Sequence, residues 1–168
     1  MGRMGNFDCR GLKDFQQQLQ KLQNPDAFVE ACAKELAARL LRLVVKRTPV
    51  GVYSGESYTC ASGQTHKGQK VPGKVGGTLR RGWTGGKRAS ASGYVDSLKV
   101  NHFGDTYVID IVNPTEYASY VEYGHRTANH SGWVKGHFMM TISEQELQKI
   151  TPKVLERKVK KYMEGLMK

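Results

Sequence analysis

The residues in this chain that could do chemistry fall into four groups, and none completes a catalytic or metal-binding pattern. Gly68 to Val75, GQKVPGKV, approaches a phosphate-binding loop, in which backbone N–H groups cradle phosphates and a lysine reaches them. Such a loop needs Ser or Thr after its lysine to hold magnesium, and here Val75 follows Lys74. No apolar strand leads into it and no clear helix follows, so a flexible basic loop is the plainer reading. His125, His130 and His137 form a second group. Metal ligation usually adds Cys or carboxylates at helix or hairpin spacing, and the nearest acids are Glu122 and Glu144. There is no GxSxG elbow and no paired carboxylate at a recognisable spacing. The sequence therefore predicts no enzyme, no cofactor and no metal site.

The third group is basic. The net charge is +11, and from Lys46 to Lys99 ten Lys and Arg stand against only Glu56 and Asp96. Lys67, Lys70, Lys74, Arg80, Arg81, Lys87 and Arg88 are the candidate basic surface, with Trp83 among them. Aromatic residues interleaved with cations suit nucleic acid, as an acidic protein surface would suit the charge alone. No helix-turn-helix, zinc finger or RNP-type sequence accompanies them, so a solvated basic face is the simpler alternative to sequence readout. The fourth group is the pair Tyr120 and Tyr123, a residue type found both in cores and at interfaces.

The elements that position these groups centre on Asp105 to His125, DTYVIDIVNPTEYASYVEYGH. Tyr107, Ile109 and Ile111 alternate with Val108, Asp110 and Val112, predicting a strand near the middle of a sheet. Asn113-Pro114 stops it and starts a helix of about ten residues, with Asn113 as cap and Glu116 at capping-box position. Gly124 ends that helix. Tyr117, Ala118 and Val121 should face the sheet. Tyr120 and Tyr123 should face outward, with Glu122 and His125 near the helix end and Trp133 in the loop beyond.

Upstream, Leu12, Phe15, Leu19 and Leu22 predict a first helix, after a short edge strand at Asn6 to Arg10. A longer helix, capped by Asp26, runs to about Arg47 on a stripe of Phe28, Cys32, Leu36, Leu40, Leu41, Val44 and Val45, and Thr48-Pro49 ends it. Residues 52–76 lack apolar periodicity and predict a mobile loop insertion. TLRRGWT (Thr78 to Thr84) and YVDSLKVNHF (Tyr94 to Phe103) suggest strands, the second pairing as a hairpin across Gly104-Asp105. The last helix starts near Phe138 or Ser143, the latter in capping-box spacing with Glu146, and Pro152 should kink or break it.

The whole is expected to be one α+β domain over residues 1–168. An antiparallel sheet of three to four strands packs against two N-terminal helices and a C-terminal helix. No apolar run reaches the roughly 18 residues of a membrane helix. The N-terminus lacks a signal-peptide core. Cys9, Cys32 and Cys60 have no CxxC spacing, which argues against disulfides and structural zinc and for a reducing compartment.

Three segments carry a family resemblance. Thr48-Pro49-Val50-Gly51, joined with Gly77-Thr78-Leu79-Arg80-Arg81-Gly82-Trp83, resembles a TPVDTGxLRxxW signature, with residues 52–76 inserted between its halves. Tyr117 to Thr127, YASYVEYGHRT, resembles YAxYVEFGT, and Gly136-His137-Phe138-Met139 resembles PxxFLxxA without its proline. These belong to the gp-ten-like tail-component family of long-tailed phages and prophages, the tail-completion or head–tail connector proteins. The resemblance implies a structural virion protein of the head–tail junction, present in the host cytoplasm during assembly. It would form a ring of its own copies between head-closure proteins and tail-terminator or tail-tube proteins, with contact to passing DNA and none to membrane. Tyr120, Glu122, Tyr123, His125 and Trp133 would then be the subunit or partner interface. The competing reading is a sequence-nonspecific nucleic-acid-binding protein.

Overall fold

The computed structural model describes residues 25–59, 65–68, 72–73, 75–86, 90–104 and 106–166. The first predicted helix, the edge strand at Asn6 to Arg10, and Lys70, Lys74, Lys87 and Arg88 lie outside the described residues.

Two long helices form the frame. Helix α1 spans Pro25–Arg47. Helix α5 spans Met139–Leu166 and runs on through Pro152, so of the kink or break expected there the break does not occur. They lie antiparallel: Phe28 near the start of α1 stacks on Tyr162 near the end of α5, with ring centroids 4.4 Å apart. One turn on, Lys158 Nζ donates to the Ala31 carbonyl at 3.0 Å. At the other end, Arg47 donates to Ser143 Oγ at 3.1 Å and pairs with Glu146. Ser143 is thus no cap. It is buried, and its hydroxyl donates to the Met139 carbonyl at 2.6 Å.

The core is where the frame meets the middle of the chain. Ala37, Ala38, Leu41 and Val44 of α1 pack with Leu79, Trp83, Val95 and Met139. Burying a Leu, Val or Met side chain contributes about 1.5–3 kcal/mol each, so this cluster is the main stabilising term visible here. Cys32 is also buried, and burial pushes its thiol pKa up.

The sheet is the principal correction. Among the described residues the strands form three separate two-stranded antiparallel ladders, not one sheet of three to four strands. β1 (Tyr58–Thr59) pairs with β2 (Thr65–His66) inside the inserted segment, which was expected to be loop throughout. β3 (Asn101–Phe103) and β4 (Thr106–Val108) make the hairpin expected across Gly104-Asp105, with His102 opposite Tyr107. β5 (Gly124–Arg126) pairs with β6 (Trp133–Lys135).

The strand predicted for Thr78 to Thr84 is helical, and of the strand predicted for Tyr94 to Phe103 only Asn101–Phe103 is strand, its start being helical. Residues Thr78–Gly82 form α2 and Ala91–Asp96 form α3. Leu79 and Trp83 are buried while Arg81 between them is exposed, which a helical turn allows and a strand does not, since a strand would put all three on one face. Ala91, Tyr94, Val95 and Leu98 pack on the core at helical spacing, and Ser90 caps α3 by accepting from Gly93 N at 3.1 Å.

Helix α4, Ala118–Tyr123, starts later than predicted. Asn113 does not cap it. Its side chain bridges instead, donating to the Leu79 carbonyl at 2.8 Å and accepting from Thr115 N at 3.1 Å. Gly82 lies beneath, where any Cβ would collide with Asn113 Oδ1.

Candidate assembly surface

The family-like segments of the sequence divide into a buried clasp and an exposed surface. The clasp sits at the C-terminus of α1. Thr48 is fully buried, its hydroxyl donating to the Val44 carbonyl at 2.7 Å and accepting from Trp83 Nε1 at 2.8 Å. Its carbonyl accepts from Arg80 through Nε at 3.2 Å and Nη2 at 2.7 Å. A cation at a helix C-terminus satisfies a carbonyl left without an intrahelical donor and opposes the helix dipole. Thus the Thr-Pro and Leu-Arg-Arg-Gly-Trp halves touch across the insertion.

Glu122 forms a second buried joint. It is 6% exposed, and its carboxylate accepts from Met140 N at 2.9 Å, Thr141 N at 3.0 Å and Thr141 Oγ1 at 2.8 Å. The two amides are orphan donors of the first turn of α5, and a carboxylate there also answers the positive end of the helix dipole. The Val121 and Glu122 carbonyls accept from His137 N and Phe138 N at 2.8 and 3.0 Å. Glu122 is therefore not on the outward surface predicted for it. The helix turns it inward, and the distant start of α5 holds it.

Between these ties the β5–β6 hairpin stands out from the body. Gly124 has φ 86°, and a Cβ there would strike the Val134 carbonyl. His125 faces Val134 across the ladder and Arg126 faces Trp133. His125 is half-buried, edge-on to Tyr120 with centroids 5.7 Å apart, and its Nδ1 is buried without a hydrogen-bond partner.

The exposed surface is aromatic. Tyr120 is 58% exposed, Tyr123 63% and Trp133 63%, as predicted for outward residues. Tyr117 was assigned to the inner face of α4, yet it is 45% exposed and joins them. Ala118 and Val121 do pack against the core. The three tyrosines are three residues apart, so they sweep an arc of about 120° around the helix end. Val134, also exposed, extends the surface along the hairpin; sequence reasoning missed it because alternation in a three-residue strand is too short to register.

The predicted basic surface is not brought together among the described residues. Lys67 is exposed on the inserted segment, Arg80 is committed to Thr48, and Arg81 donates to the Gly76 carbonyl at 3.2 Å. Among the described residues no cluster of His, Cys, Asp and Glu could hold a metal ion. None of their helices is long and apolar enough to cross a membrane.

No curated protein and no solved structure matches the chain. A family model does, the HK97-gp10-like family described as "Bacteriophage HK97-gp10, putative tail-component", over residues 13–124. That span holds α1, the clasp and the three tyrosines. Its members are structural parts of the phage tail and not enzymes. The chain belongs to this HK97-gp10-like family of phage tail components.

Proposed function

We propose that this tail component acts at the head–tail junction as the repeating subunit of a ring that completes the tail. The ring lies between head-closure proteins and the tail-terminator or tail-tube proteins. The observation that carries this reading is the arc of Tyr117, Tyr120 and Tyr123, left in solvent inside the family-matched span. A closed ring needs one contact repeated head to tail, and exposed tyrosines on a short helix braced from behind supply a rigid anchor for it. Trp133 and His125 extend that contact along the hairpin. Glu122 supports it from inside.

The test is complementation of a phage lacking this protein, counting infectious particles. Tyr123→Ala should give folded, soluble protein that leaves heads and tails unjoined, because losing an aromatic anchor costs about 2 kcal/mol or more of association. Normal particle yield with Tyr123→Ala and with Tyr120→Ala would sink the assignment.

The same reading treats residues 52–76 as an insertion that a neighbouring virion protein orders. Limited trypsin treatment of the free subunit should then cut at Lys67 before Lys149. Equal protection of both would show an insertion already packed.

A further inference from the structure

We propose that the outer face of α5 is a docking strip for duplex DNA, held through its phosphates. Lys149, Lys153, Arg157 and Lys160 follow one another at steps of three and four residues. At 100° and 1.5 Å per residue they fall within about 80° of one another along about 17 Å of helix. All four are exposed. The opposite side of α5 is the one that meets α1, through Lys158 at Ala31 and Tyr162 at Phe28, with Val154 buried between. The strip therefore points away from the frame. None of the four has a hydrogen-bond or ion-pair partner among the described residues.

From Lys149 to Lys161 there are six Lys or Arg and a single acid, Glu156, which borders the strip. Exposed like charges at this density repel one another, and a polyanion relieves that repulsion. Composition decides which polyanion. Protein interfaces are depleted in Lys and enriched in Tyr, Trp and Arg, which describes the α4 arc and not this strip. Lysine is a flexible point charge suited to phosphates, and a row of them on one helix carries no base-reading geometry. The strip should therefore bind any duplex, whether or not the protein forms a ring.

Titrating short fluorescent duplexes of two unrelated sequences against the full chain, between about 50 and about 200 mM salt, tests this. The wild type should bind both alike, with log K falling linearly against log salt. Each phosphate contact contributes about 0.9 to that slope, so the triple variant Lys149→Gln, Lys153→Gln, Lys160→Gln should flatten it by about 2–3. Its thermal melting should match the parent; if it does not, Lys153→Gln alone, with a loss of about 0.9 in slope, decides. Absence of duplex binding by the wild type, an unchanged slope in the variants, or strong preference for one sequence would each overturn the proposal.

Discussion

The clasp around Thr48 and the arc around Tyr120 are both built from family-like segments, yet they differ in every physical respect. In the clasp the side chains of Thr48 and Trp83 are buried and hydrogen-bonded to each other, and Arg80 closes the helix end. In the arc the aromatic side chains stay in solvent, while the one acidic residue among them, Glu122, is drawn inside. A recognisable segment can therefore mark either a joint of the fold or a surface left in solvent. Burial distinguishes them where residue type does not, since Trp83 and Trp133 are the same residue with opposite fates.

Substitutions can break this contrast, beginning with the largest effect. Trp83→Ala should destabilise by about 3–5 kcal/mol, because it empties the centre of the core and leaves Thr48 without its donor. Denaturant unfolding with an unchanged midpoint would show that the clasp is not structural. Thr48→Val keeps the volume but leaves the Trp83 N–H buried without an acceptor. About 1–3 kcal/mol is expected, read as a lower melting temperature. Glu122→Gln keeps the shape and removes the charge, and one α5 amide then meets an NH2 group. A loss of about 1–2 kcal/mol should follow, with solubility intact. Should Glu122→Gln leave melting unchanged and abolish assembly, Glu122 belongs to the contact surface after all. Smallest of all, Tyr123→Ala should shift stability by less than about 0.5 kcal/mol while stopping assembly.

Much of the frame was legible because long helices repeat their signal. Asp26 to Arg47 carries an apolar stripe over several turns, and α1 ends where Thr48-Pro49 predicts. The hairpin at Gly104-Asp105 was equally plain, having a turn signal between alternating residues. The short elements failed for opposite reasons. Leu79 with Trp83, and Ala91, Tyr94, Val95 and Leu98, hold a helical spacing that β-branched and aromatic residues disguised as strand. Asn113 looked like a local helix cap and Glu122 like an interface residue, but their partners are Leu79 and the start of α5, which no local spacing reveals. The tyrosine arc was two-thirds visible. Tyr117 was misplaced because α4 starts later than Asn113-Pro114 suggested, so its bracing against a sheet never arises.

The double tie at Glu122 has an evolutionary consequence. Everything from Tyr123 to Gly136 leaves the body and returns to it through one closed neck, where the Val121 and Glu122 carbonyls receive His137 N and Phe138 N. The tip beyond is self-contained, with Thr127 N donating to the Gly132 carbonyl at 3.0 Å and Gly132 N donating back to Thr127 Oγ1 at 3.0 Å. With its base fixed, doubling the length of such a loop adds only about 0.6 kcal/mol of closure entropy. The tip can therefore be lengthened, shortened or exchanged while the core keeps its packing. A lineage that acquires a new neighbour in the virion can adapt by rewriting a few residues near Asn129, leaving the buried carboxylate and the clasp unchanged.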